Sequence, residues 1–242
     1  MRRVLLIFTT LVVLSTASSA ISFQIGQWWL YKPVSGKITD MAQDGCIQAD
    51  SLMVSIIGKV KISGKNAYVV SYTYTSGKNK FVKVGILDPD NFNVVFYSSI
   101  VDVVFSGNAR VITLDFPLKV GKRWNATEKE NAFVVSKEVV SIASKDVIAY
   151  RIRYSGAVEK EVLFSEEIGN YVWMKSKNNE LKLENWGFSS PQELMEDLEK
   201  DFENMAKSYP LSCMIYLEML KKYGPNKDFA ENLMRKIARG EH

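Results

Sequence analysis

The side chains that usually carry enzyme chemistry are sparse in this 242-residue chain. It holds one histidine, His242, and two cysteines, Cys46 and Cys213. A single imidazole cannot supply a histidine-based metal site, and no internal imidazole is left to activate a serine or cysteine nucleophile. No two glycines stand in G-x-G spacing and no G-K-[ST] occurs, so the sequence offers no phosphate-cradling loop. Neither S-x-x-K nor G-x-S-x-G is present. Asp88-Pro89-Asp90-Asn91-Phe92-Asn93 begins like a calcium loop, but Phe92 stands where an oxygen ligand is needed and Asn93 where the sharp bend wants Gly. A turn between two strands is expected there. The expectation is therefore no catalysis, no cofactor and no metal. Two carboxylates meeting across a cleft are the one enzymatic arrangement left open.

What remains is aromatic. Tyr68, Tyr72 and Tyr74 fall at even positions of one segment, and Tyr150 and Tyr154 do the same in another. With Trp29 and Trp124 they could wall an apolar pocket with hydroxyls at its edge. The same seven residues suit a plain core filled by helices. Cys46 and Cys213 allow either one disulfide or two separate reduced thiols.

These side chains need strands to position them. From Gln24 to Trp186 the chain is rich in Val, Ile, Tyr, Phe and Thr, broken by Gly, Asn and Asp, which is strand and turn chemistry. Tyr68, Val70, Tyr72 and Tyr74 alternate with Ser71, Thr73 and Thr75. Ile148, Tyr150, Ile152 and Tyr154 alternate with Arg151 and Arg153. Each pattern predicts one buried and one solvated face, as in an antiparallel sheet. No helical pattern separates the runs, so short turns such as Ser76-Gly77-Lys78-Asn79 and Ser106-Gly107-Asn108 must join them.

The composition changes at Ser189. Ser190-Pro191-Gln192-Glu193 reads as a capping box with Pro at the first helical position. Leu194, Leu198, Phe202 and Met205 then recur one turn apart. Pro210 opens a second helix that Gly224-Pro225 closes, and Asn226 opens a third. The first helix is acidic (Glu193, Glu196, Asp197, Glu199, Asp201, Glu203) and the last basic (Arg235, Lys236, Arg239). The bland reading is a solvated, mutually complementary pair of faces; the sharper one is a docking surface for an envelope protein.

Gly26-Gln27-Trp28-Trp29 and Gly121-Lys122-Arg123-Trp124 share G-x-x-W, and each opens a strand-rich block. Each block later carries Y-x-[VI]-x-Y, at Tyr68–Tyr72 and Tyr150–Tyr154. Ile86-Leu87-Asp88 matches Leu163-Phe164-Ser165 more weakly. The first block is longer, which places an insertion at Ser35 to Asp50, around Cys46. The G-x-x-W starts and the Ser165–Trp173 run resemble uncharacterised exported β-rich proteins, and more distantly the lipoprotein carrier proteins. The resemblance spans Ile25 to Trp186 and brings no catalytic residues. It implies a strongly curved sheet around a hydrophobic cavity.

Arg2 and Arg3, the apolar run Val4 to Leu14 and Ser18-Ser19-Ala20 read as a secretory leader over residues 1–20. Losing it would halve the formal charge of +4, which gives no reason to expect nucleic acid as a partner. Membrane contact is expected only through an uncleaved leader. The remaining chain divides into a β-rich region, 21–188, with related blocks at about 24–116 and 119–187, and a helical segment, 189–242. The predicted fold is α+β: a large curved antiparallel sheet packed against three C-terminal helices. The predicted role is an exported, non-catalytic binder or carrier of an apolar ligand, secreted or in the cell envelope. The alternative is an envelope interaction protein that docks through its charged helices.

Overall fold

The computed structural model describes residues 21–96, 113–156, 159–177 and 179–241. The expected leader, the Ser106-Gly107-Asn108 turn and His242 lie outside them. The chain opens with β1 (Gln27–Pro33), followed by a small separate hairpin of β2 (Ile38–Ala42) and β3 (Gly45–Ala49). A first meander follows: β4 (Ser51–Ile62), β5 (Lys65–Ser76), β6 (Asn79–Asp88) and β7 (Asn93–Phe96). The second comprises β8 (Arg123–Thr127), β9 (Glu130–Ile142), β10 (Lys145–Gly156), β11 (Lys160–Ser165), β12 (Asn170–Lys175) and β13 (Glu180–Phe188). The helices are α1 (Pro191–Ser208), α2 (Pro210–Tyr223) and α3 (Lys227–Ala238).

Among the described residues, eleven strands form one antiparallel sheet in the order β7-β6-β5-β4-β1-β13-β12-β11-β10-β9-β8. The two meanders meet where β1 pairs with β13. The sheet is open but strongly curled. Phe92, next to the edge strand β7, lies 5.1 Å from Phe164 of β11 and 5.3 Å from Tyr171 of β12, ring centre to ring centre. At about 4.8 Å per strand, a flat sheet would hold β7 and β11 roughly 30 Å apart.

The two meanders share a register. Gly26 and Gly121 have φ of 95° and 88°, a conformation natural only to glycine. Each donates its N–H across to the next long strand, Gly26 to Ile56 O and Gly121 to Val134 O, both at 2.9 Å. Directly after each acceptor the pairing slips by one residue: Ile57 is the extra residue in β4 and Val135 in β9. Such bulges bend a strand and add twist, so both sit where the curl requires them. Trp29 pairs with Val54, which pairs with Tyr72, which pairs with Lys83. Trp124 pairs with Ala132, then Tyr154, then Lys160.

The helices cover the convex side of the first meander. Gly58 lies beneath Pro225, and a Cβ there would sit 3.6 Å from that ring, on the side of Val69 rather than Val70. Leu194, Leu198, Phe202 and Met205 are buried, as their spacing predicts. The capping box forms as read, with Ser190 Oγ accepting from Glu193 N and Glu193 reaching back to Ser190 N. The face of β5 expected to be solvated is not: Ser71 and Thr73 are 2% exposed. This is the side of the sheet on which α1 and α2 pack, mainly over the neighbouring β6.

The second meander also departs from simple alternation. Ile152 and Tyr154 are buried, but Ile148, on the same face, is 47% exposed, and Val147 and Ala149 are buried instead. The switch coincides with the bulge at Val135, beyond which the hairpin bends and buries its opposite face. On the outer side, Arg151 is clamped by Glu138 at 2.6 Å and by Glu161.

The predicted insertion holds β2 and β3. It ties the helices to the sheet, because α2 has no capping side chain of its own at Tyr209. Asp44 Oδ2 accepts from Ser212 N at 2.9 Å, and Gln43 N donates to Ser212 Oγ at 3.0 Å. A helix start left with open N–H groups is thereby satisfied from a distant hairpin.

Gly26 carries a double constraint. Its left-handed backbone excludes side chains, and a Cβ would run into the Ser189 carbonyl oxygen. Gly26→Ala should cost at least about 2 kcal/mol in urea unfolding. Gly121→Ala has the same backbone strain but open space around it and should cost clearly less.

Candidate functional site

The concave side holds a cavity of about 410 Å³, within the roughly 300–1,000 Å³ range of small-molecule sites. Its floor is aromatic: Phe23, Trp29 and Phe92. Leu52, Val54 and Ile56 of β4 face Val162 of β11 and Leu181 of β13 across the space. Among the described lining residues, none belongs to a helix and none is a carboxylate. Among the described residues, the helices therefore do not fill the concavity.

Several polar groups that hold this wall are spent on structure. Trp29 Nε1 donates to Ile168 O at 3.1 Å, and the Tyr31 hydroxyl donates to Tyr171 O at 2.8 Å. The Tyr154 hydroxyl donates to Thr113 O at 2.6 Å and is itself bonded by the Tyr171 hydroxyl. Burial pushes the Tyr31, Tyr72 and Tyr171 phenols above their ordinary range, so all three stay neutral across physiological pH. Among the described lining residues, cations appear only where β11 and the β12–β13 turn meet, with Lys160, Lys175, Ser176 and Asn179. Lys160, Lys175 and Ser176 also border an outer recess with Arg153 and Glu159. The apolar space thus has a polar doorway.

Of the seven aromatic residues singled out from the sequence, Trp29 and Tyr72 line this cavity. Tyr68 sits beside the floor, its hydroxyl accepting from Phe23 N at 3.3 Å. Tyr74 lies on the same face but nearer the strand end, where its hydroxyl donates to Asp40. Tyr154 packs edge-on against Trp124 and borders the doorway recess. Trp124 faces a separate recess with Arg123 and Asn125. Tyr150 is half-buried beneath Lys137, away from the cavity. Phe23, Tyr31, Phe92, Tyr171 and Lys160 were not legible as site residues. Tyr31 alone carried a signal, lying two positions beyond Trp29 on the same face.

No family model matches the chain, and no curated protein matches it in sequence. In shape it is similar to a Bacteroides fragilis protein described as exported and of YmcC-like fold. That likeness has 12% identity and a TM-score of 0.34, over 68% of this chain and 96% of the other. A Parabacteroides distasonis protein described as a lipoprotein is similar at 10% identity and TM-score 0.34, over the same shares.

The remaining chemistry is modest. Among the described residues, no cluster of three or more His, Cys, Asp or Glu side chains could hold a metal ion. Of the acids on α1, Asp201 pairs with Lys80 at 3.8 Å and Glu199 accepts from Asn226, so part of that face is engaged within the fold. Cys46 and Cys213 are separate free thiols, the first exposed on β3 and the second buried in α2. Burial pushes the Cys213 thiol up to about 12, leaving it un-ionised and shielded. Native protein treated with a thiol reagent at pH 8 should report one reactive thiol, and denatured protein two. A count of zero in denatured, unreduced protein would mean that the pair is bridged in the isolated chain.

Proposed function

We propose that this chain is an exported, non-catalytic binding or carrier protein that holds an apolar ligand in the concavity of its sheet. The observation that carries the reading is the cavity itself: about 410 Å³, walled by aliphatic and aromatic side chains and left open by helices that pack on the opposite face. A domain of this size has no need of such a void, since unfilled apolar space costs packing energy. The matching registers support reading the meanders as two copies of one unit, the first carrying the β2–β3 insertion. The leader-like start at Arg2 and Arg3, ending in Ser18-Ser19-Ala20, supports an extracytoplasmic location.

The test is to fill the space. Val70 and Leu52 both line the cavity, on different strands. Overpacking either costs roughly 1–3 kcal/mol, which a domain of this size tolerates. N-phenyl-1-naphthylamine should bind the native protein with a fluorescence rise. Val70→Trp and Leu52→Trp should each weaken that binding at least about tenfold while circular dichroism stays unchanged. Undiminished binding in both folded variants would remove the cavity as the ligand site.

A further inference from the structure

Lys83 and Lys160 occupy the same place in the two meanders. Each ends a cross-strand row that begins with a G-x-x-W tryptophan and passes through a tyrosine. Their surroundings differ. Lys83 is nearly buried and donates to Asp40 Oδ2 at 2.7 Å, and the same carboxylate accepts from the Tyr74 hydroxyl. Asp40 comes from β2, part of the insertion that only the first meander has. In the second meander, a short turn joins β8 to β9, and among the described residues no hairpin reaches over the row.

Among the described residues, Lys160 is therefore a cation without the carboxylate its counterpart has. It is half-buried, with its Nζ 4.2 Å from the centre of the Tyr154 ring, and among the described residues it makes no ion pair. Glu130 acts on it only from a distance, and burial lowers its ammonium below its ordinary range. The two other cations of the doorway are engaged: Lys175 with Glu180 at 3.0 Å, and Arg153 with Glu161 at 3.4 Å. Lys160 also borders both compartments, the apolar cavity and the outer recess.

Resting on the cavity reading above, we infer that the ligand is a single-chain amphiphile with a carboxylate head, its chain in the cavity and its head on Lys160. The head takes the position that Asp40 takes at Lys83. A partly desolvated ammonium gains most from a partner that brings its own charge and leaves the solvent with it. The cavity volume admits one chain, and its aliphatic walls place no demand on that chain beyond shape. Selectivity is then set at the doorway, by charge.

Isothermal titration of the full chain with tetradecanoate and with 1-tetradecanol, both below their aggregation limits, separates head from chain. The native protein should bind the acid at least about tenfold more tightly than the alcohol. Lys160→Met should erase that preference by weakening the acid alone, and Lys160→Arg should keep part of it. Equal affinity for acid and alcohol in the native protein would overturn the head-group assignment and leave the cavity reading standing. Equal weakening of both ligands in Lys160→Met would overturn it too, since the lysine would then act through the wall. Binding of neither ligand, with no loss of naphthylamine binding in the filled variants, would bring down the cavity reading itself.

Discussion

The interior of this fold depends on a sheet bent far enough for its β7 end to meet β11 and β12. Phe92 reaches Phe164 and Tyr171 edge-on, and Phe23 joins the seam against Trp29 and Tyr68. Each such aromatic pair is worth about 0.5–1.5 kcal/mol beyond its buried area. The rings Phe23, Trp29 and Phe92 of the seam line the concavity together with Lys160. Bulges at Ile57 and Val135, each secured by a left-handed glycine, supply the bend that brings the rings together. Without that bend, Leu52, Val54 and Ile56 would face water rather than Val162 and Leu181.

The same unit geometry is completed in two ways. In the first meander a hairpin folds back, places Asp40 on Lys83 and Tyr74, and reaches on to cap α2 through Asp44. In the second, Tyr154 of the matching row is held by Thr113 O, no described carboxylate forms an ion pair with the lysine, and that lysine lines the apolar space. The insertion thus serves several ends: it neutralises a nearly buried charge, closes one side of the first meander and anchors the helical layer.

Much of the architecture was legible in the residues. The helices announced themselves through Ser190–Glu193 and Gly224-Pro225, because caps and breakers act locally. Alternation found the strands, and G-x-x-W found Trp29 and Trp124 in matching places. The cavity was harder. Alternation assigns a residue to a face but not to a position along a bent strand, so Tyr68, Tyr72 and Tyr74 share a face while only Tyr72 lines the space. The bulge at Val135 defeated the reading of Ile148 and Tyr150, since one unpaired residue redirects burial beyond it. Lys160 was invisible for another reason. Its equivalence to Lys83 exists only across strand pairings, and a lysine in a strand reads as ordinary solvated surface.

The first meander is a wall one strand thick with a tenant on each side. Val70 faces the cavity, while its neighbour Val69 lies against the side chains beneath Pro225. The backbone between them has no free side on which to yield. Whatever widens or narrows the concave space must be accommodated by α1 and α2, so the helical layer acts as the stiffener that fixes the bore of the cavity.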